Sequence, residues 1–273
     1  MNGPTRVLAT DLDGTLLASD STLTERTRRA MRSARDAGYR IVLATARPAR
    51  IVDRIVGAER LFDTAICANG AVEYDLVTGR MVVARPLLPA LAADVMKRID
   101  DLLPGVAFAV ETGRRVLHEV GYSYQPSLDS ERYPVRTRAE LVVEPLVKLM
   151  ALVPTGDPAT AWARLSVHLA DLVACTWSAG HGPADRAYPA ILELSAPGVS
   201  KAAALADLCA RWGVSPDEVA AVGDAPNDLP MLAWAGRAYA VANAHPKVLA
   251  VAHHVVPSND EDGVATLLES LLR

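Results

Sequence analysis

The sequence is short of cysteine, of long apolar runs and of positive charge. Its three cysteines, Cys67, Cys175 and Cys209, stand singly among apolar residues, with no Cys-x-x-Cys pair. That usage excludes a disulfide framework and fits reduced, buried thiols, so a cytoplasmic protein is expected. No stretch reaches the run of about 18 apolar residues that a membrane span requires, and the N-terminus lacks the apolar core of a secretory signal. Lys and Arg number 28 against 32 Asp and Glu, a net charge of −4, which argues against nucleic acid or an anionic membrane as partner. His253 and His254 are neighbours in an expected strand and point to opposite faces, a poor chelate, and the other histidines are scattered. Neither G-x-G-x-x-G nor G-x-x-x-x-G-K-[ST] occurs, which removes the common dinucleotide and P-loop chemistries. No repeat or low-complexity tract is visible. With 273 residues, 51% of them hydrophobic, the chain has ample material for more than one domain.

What is present gathers around residues 7–17, VLATDLDGTLL. A short apolar run predicts a buried strand, and Gly14 supplies the turn that ends it. Asp11 and Asp13 stand two residues apart at that end. Two carboxylates brought together repel unless a cation lies between them, so the stretch reads either as a hard-metal site with a carboxylate nucleophile or as a turn in which Asp caps the next element.

A helix is expected over residues 23–37, with Thr22 and Glu25 at capping-box spacing and Gly38 as its stop. Residues 40–45 form a second apolar strand, Pro48 opens another helix, and a third strand over 64–68 ends at Asn69-Gly70. This alternation, with strands apolar throughout, is the signature of a doubly wound parallel sheet, whose ligands bind at the carboxyl ends of the strands. Asp11, Thr45 and Asn69 each fall at such an end. After about Met81 the strands shorten and prolines multiply, and charges crowd from Asp129 to Glu144. An α+β module over residues 84–189 is therefore expected to be inserted between the halves of the first domain, residues 1–83 and 190–273, with 191–194 as that domain's next strand. A further strand over 219–222 runs into GDAPNDLPML, so Asp224, Asn227 and Asp228 join the other acids at the strand ends. Lys201 and Arg47 are the cations expected near them. Oxygen donors without His or Cys favour Mg²⁺ over zinc.

These motifs resemble those of the haloacid dehalogenase superfamily of phosphohydrolases, nearest to its Cof-type branch with the larger class IIB α/β cap. D-x-D-G-T is matched by Asp11 to Thr15, the Thr of the second strand by Thr45, the Lys before a helix by Lys201, and G-D-x-x-N-D by Gly223-Asp224 and Asn227-Asp228. Asn69-Gly70 also looks like the family's turn after the third strand. One departure is Ala46, where the branch usually has Gly before Arg47.

The resemblance implies a Rossmann-like core with an inserted cap and a Mg²⁺-dependent phosphatase acting on small phosphorylated metabolites, such as sugar phosphates or cofactor precursors. Asp11 would be the nucleophile that forms an aspartyl-phosphate and Asp13 the general acid and base, with Thr45 and Lys201 stabilising the phosphoryl group. The implied metal set is Asp11, Asp13 through its backbone carbonyl, Asp224 and Asp228, the last placed among the groups that orient the metal's waters. Substrate contacts are implied at Gly14, Thr15, Ala46, Arg47, Asn69, Gly70 and Asn227. Two alternatives stand beside this: a phosphosugar mutase of the same superfamily, and a silent metabolite-binding protein. Monomer and homodimer are both left open.

Overall fold

The computed structural model describes residues 5–56, 60–123, 131–153, 158–179 and 190–273. In chain order the first segment holds β1 (Val7–Thr10), α1 (Glu25–Asp36), β2 (Arg40–Ala44), α2 (Ala49–Val56), β3 (Thr64–Cys67), β4 (Val72–Asp75) and β5 (Met81–Val83). The middle of the chain holds α3 (Pro89–Leu102), β6 (Ala107–Glu111), β7 (Val116–His118), β8 (Arg132–Pro134), β9 (Lys148–Val153), α4 (Pro158–Leu169), β10 (Ala174–Ala179) and β11 (Ala190–Ser195). The last part holds α5 (Lys201–Trp212), β12 (Val219–Gly223), α6 (Leu229–Trp234), β13 (Arg237–Val241), α7 (Pro246–Leu249), β14 (His254–Val256) and α8 (Gly263–Leu271).

The chain divides into two units, Met1–Val82 with Ser200–Arg273, and Val83–Val199. The first is built on a sheet of order β14-β13-β12-β1-β2-β3-β4-β5. From β14 to β3 the strands are parallel, and β4 returns antiparallel to β3. Val7, Leu8 and Ala9 of β1, Ile41 to Ala44 of β2 and Val219 to Val222 of β12 are fully buried. Burial of consecutive residues means that both faces of the sheet are covered, as continuous apolar strands require. The α/β class expected from the sequence, a doubly wound parallel sheet with an inserted α+β unit, is the architecture found.

The second unit carries a mixed sheet of order β10-β11-β9-β6-β7-β8. β9 lies centrally, antiparallel to β11 and β6, while β7 and β8 are parallel. One face of this sheet joins Ala109, Val116, Tyr122, Met150, Leu152 and Ile191 in a hydrophobic cluster. Lys148 and Glu193 pair at 2.7 Å near the end of the same sheet, and Glu111 lies opposite Lys148.

Two expectations are corrected. Residues 191–194 do not continue the first domain: β11 lies between β10 and β9 of the second sheet, so the return falls at Val199–Ser200 rather than at residue 190. Periodicity alone did not reveal which sheet a short apolar strand joins. Thr22 does not cap α1, since its hydroxyl is held by Asp20, and Thr24 accepts the Thr27 N–H instead at 3.1 Å. The β4–β5 extension and α3, opened by Pro89, are absent from the sequence reading. Asp129, the start of the expected charged stretch, and residue 189 lie outside the described residues.

Candidate active site

Parallel strands bring their carboxyl ends to one edge, so residues remote in sequence are gathered there by topology alone. Asp11 follows β1, Thr45 follows β2, Asn69 lies just past β3, and Asp224 follows β12.

Beyond β1 the chain turns through Leu12–Leu16, a loop closed by Leu17 N–H on the Leu12 carbonyl at 2.9 Å. Gly14 has φ 77° in this loop, and a Cβ added to it would lie 2.7 Å from Asp224 Oδ2. Glycine is thus required for both conformation and space. The next residue, Thr15, donates its hydroxyl to Asp224 Oδ1 at 2.9 Å.

Lys201 is the first residue of α5 and only 1% exposed. A cation at a helix N-terminus is opposed by the helix dipole. Here two carboxylates reverse that cost, because the ammonium donates to Asp11 Oδ1 and, at 2.7 Å, to Asp228 Oδ1. Asp228 is fully buried, and its other oxygen accepts the N–H groups of Asp224 and Ala225 at 3.1 and 3.0 Å. One side chain therefore fixes both the lysine and the turn that presents Asp224.

Carboxylate oxygens of Asp11, Asp224 and Asp228 lie within 4.8 Å of one another. One ammonium, bonded to two of these three carboxylates, leaves the cluster short of positive charge. Burial pushes the Asp11 pKa well above the ordinary carboxylate range; Lys201 offsets this only in part, and Asp228 and Asp224 add to it. Asp224 is raised too, by burial first and then by Asp228. Burial works against the charge on Lys201, but Asp11 and Asp228 outweigh it and hold its pKa above the usual lysine value. An all-oxygen donor set with surplus negative charge fits a hard divalent cation. Asp11 and Asp224 are the members left to hold one, since Asp228 already receives three donors.

The Asp13 carboxylate does not join that cluster. It is exposed and receives both Nε, at 2.6 Å, and Nη2 of Arg47, a forked ion pair. Both of its carboxylate oxygens are taken up by that pair. Thr45 is buried and accepts the Arg47 N–H at 3.1 Å, with half-buried Ala46 between them. The loops after β2 and β3 are laced by Ala68 N–H on the Arg47 carbonyl and Asn69 N–H on the Thr45 carbonyl, both at 2.9 Å. Asn69 sits at φ 55°, a left-handed conformation that Asn tolerates, and its Oδ1 accepts from Asn227 Nδ2 at 3.0 Å. Gly70 has φ 108°, and a Cβ there would overlap the Ser200 carbonyl oxygen. Its bareness lets the β3 loop lie against the start of α5.

The acids and Lys201 thus converge, Asp13 stands with Arg47, and Asn69 stands with Asn227. Two residues that sequence reasoning missed also reach the loop after β1. Asn243 Nδ2 donates to the Gly14 carbonyl at 2.8 Å, and Asn259 Nδ2 donates to the Leu17 carbonyl at 2.9 Å. Each lies shortly beyond a strand, β13 or β14, but a lone Asn carries no motif.

The sequence model of the haloacid dehalogenase-like hydrolases matches residues 8–268. Pyridoxal phosphate phosphatase YbhA of Escherichia coli (strain K12) is 28% identical, over 98% of this chain and 99% of its own length. The 5-amino-6-(5-phospho-D-ribitylamino)uracil phosphatase YitU of Bacillus subtilis (strain 168) is 26% identical over 96% of both chains. In fold, the crystal structure of a haloacid dehalogenase-like hydrolase from Bacteroides thetaiotaomicron superposes with a TM-score of 0.79 at 24% identity, over 98% of this chain and 99% of that one.

Proposed function

Given that the chain belongs to the haloacid dehalogenase-like hydrolase family and is a phosphoric monoester hydrolase, we propose that it hydrolyses a small phosphorylated metabolite through a phosphorylated Asp11, with Mg²⁺ held by Asp11 and Asp224. The observation that carries this reading is the cluster of Asp11, Asp224 and Asp228, in which the Lys201 ammonium bonds Asp11 and Asp228 and leaves Asp224 without a cation of its own. A carboxylate held by one oxygen on a lysine keeps its second oxygen for attack on phosphorus.

In the first step an Asp11 oxygen forms a bond to phosphorus as the ester P–O bond breaks. Asp13 passes its proton to the departing alkoxide. In the second step Asp13 takes a proton from water, whose oxygen attacks the phosphorus, and the bond to Asp11 breaks to release phosphate and restore the carboxylate. Lys201 offsets charge on Asp11 and on the phosphoryl oxygens throughout, and the Thr45 hydroxyl donates to one of those oxygens. Arg47, half-buried beside Asp13, is the cation for another, and a phosphate anion that draws it away frees Asp13 for proton transfer. The divalent ion, when bound, supplies the positive charge that the cluster lacks and reduces repulsion between an anionic nucleophile and an anionic substrate. Asp228 acts behind it by fixing Lys201, and Asn227 acts by bridging to Asn69.

All of these groups address a phosphoryl group, and none addresses the rest of the substrate. Discrimination among substrates is accordingly assigned to the inserted unit. Pyridoxal phosphate and 5-amino-6-(5-phospho-D-ribitylamino)uracil, the compounds for which the two relatives are named, head the panel to be tried, followed by sugar phosphates. Phosphate release is measured with Mg²⁺, with EDTA and with Asp11→Asn. Release that requires Mg²⁺ and disappears in the variant supports the reading. Release that survives in Asp11→Asn refutes it.

A further inference from the structure

The loop after β1 carries Asp13, Gly14 and Thr15, yet little within the loop fixes it. The Leu17 to Leu12 hydrogen bond closes it, and Asp13 and Gly14 depart from helical geometry. Apart from the Arg47 fork on the Asp13 side chain, its ties come from the other end of the chain. Asn243, past β13, donates to the Gly14 carbonyl at 2.8 Å. The same amide accepts the Asn259 N–H through its Oδ1 at 3.0 Å. Asn259, buried past β14, donates in turn to the Leu17 carbonyl at 2.9 Å. Asp260 then accepts both the N–H and the hydroxyl of Ser19 at 2.7 Å. Two residues beyond Asn243, the His245 N–H donates to the Asp224 carbonyl at 2.8 Å.

The chemistry of the partners dictates the residue type. The Gly14 carbonyl only accepts and the Asn259 N–H only donates, so a side chain between them must donate and accept at once. A carboxamide does so. An ionised carboxylate of the same shape faces the Gly14 carbonyl with a lone pair. Because the segment 243–245 touches both the Gly14 loop and the Asp224 backbone, it sets the distance between the two acid-bearing turns.

We propose that Asn243 and Asn259 form a two-amide clamp that positions the loop of Asp13 to Thr15 against Asp224, as positioning residues for phosphoryl transfer. The proposal rests on the phosphatase reading for its kinetic consequence but not for its structural one. A clamp of this kind acts on the geometry of the reacting groups, so its loss falls on kcat and leaves KM in place.

The test compares Asn243→Asp, Asn259→Asp and the double variant with wild type. Arg26→Gln, which breaks the Arg26–Glu269 pair between α1 and α8, controls for simple destabilisation. Without substrate, amide hydrogen exchange over residues 14–19 is expected to quicken about tenfold in each Asn variant and to stay unchanged in Arg26→Gln. At saturating Mg²⁺, kcat is expected to fall about 10- to 100-fold with KM within about twofold, as a misplacement on the ångström scale produces. The double variant is expected to lose no more than the worse single one, because both amides act on one loop. Unchanged exchange overturns the clamp. So does faster exchange with unaltered kcat, which leaves the amides as mere structure, and so does a raised KM with unaltered kcat, which makes Asn243 a substrate contact. If wild type releases no phosphate from any ester, the phosphatase reading fails by itself, and the exchange measurement alone decides the clamp.

Discussion

The two sheets of this protein solve different problems with the same kinds of residue. In the first, β12, β1, β2 and β3 run parallel and place Asp224, Asp11, Thr45 and Asn69 along one edge. Their interiors are apolar, and polarity begins where each strand ends. In the second, the neighbours of β9 are antiparallel to it, and charge is carried within the strands themselves, as Lys148 on β9, Glu193 on β11 and Glu111 on β6. Both units hold a buried lysine against carboxylate. Lys201 bonds two carboxylates in a cluster that still lacks positive charge, whereas Lys148, with Glu111 in register across the strand pair, bonds one, Glu193, whose side chain is 17% exposed. An unbalanced cluster invites a cation and a nucleophile's role. A balanced pair is sufficient in itself.

The comparison is broken most sharply by Lys201→Met. It leaves Asp11 and Asp228 buried with no ammonium, at a cost of about 3–5 kcal/mol in unfolding free energy. The phosphate-release rate should fall by a further about 10²–10³-fold in the protein that remains folded. Denaturant unfolding and kcat measure the two losses separately. Gly70→Ala comes next. The left-handed φ and the overlap with the Ser200 carbonyl together cost about 2–5 kcal/mol, read as a lowered thermal midpoint.

Filling the charge deficit should act in the opposite direction. At a Mg²⁺ concentration about 100 times its Kd, binding adds about 2.7 kcal/mol, visible as a rise of roughly 5–10 °C in the midpoint. Protons compete for Asp11 and Asp224, whose pKa values are raised, so Mg²⁺ affinity rises with pH until both are ionised. In the metal-free protein these two groups still hold protons that the unfolded chain has released. Their contribution to stability therefore falls as pH rises from the ordinary carboxylate range through the raised values. Stability curves with and without Mg²⁺ should diverge with increasing pH.

Lys148→Met should cost about 1–3 kcal/mol, less than Lys201→Met, because a single partly exposed carboxylate is stranded rather than two buried ones. An equal cost for the two would contradict the distinction drawn between cluster and pair. At the small end, Arg98→Gln removes an exposed pair with Asp94 one turn away on α3 and should shift stability by no more than about 0.5 kcal/mol.

The two sheets also differed in how far the sequence revealed them. Parallel strands buried on both faces are apolar throughout, so VLA at 7–9 and VAAV at 219–222 stand out, and the residues after them announce the edge. Asp11, Thr45, Lys201 and Asp224 could be found because each is an exception to its local surroundings. The second sheet offered no such contrast. Its strand β11, Ala190–Ser195, reads like any short apolar run, and nothing local says that it pairs with β9 and β10. α3 begins at a proline and went unnoticed, although Ala92, Val95, Met96 and Ile99 are buried at helical spacing. Within the first unit the missed features are those made by distance in sequence: the Asn69–Asn227 bridge, and the amides of Asn243 and Asn259. A hydrogen bond across about 230 residues leaves no local pattern to read.

The central claim is that Asp11 becomes covalently phosphorylated. The most direct measurement is acid quench followed by mass spectrometry of the Asp11 peptide, using Asp13→Asn and an ester whose leaving group needs no proton. Without its general base the second step stalls while the first continues. The account predicts phosphate on Asp11 that accumulates in Asp13→Asn and is absent from Asp11→Asn. Turnover of the same ester by wild type, with no covalent phosphate on Asp11 in the stalled variant, would contradict it.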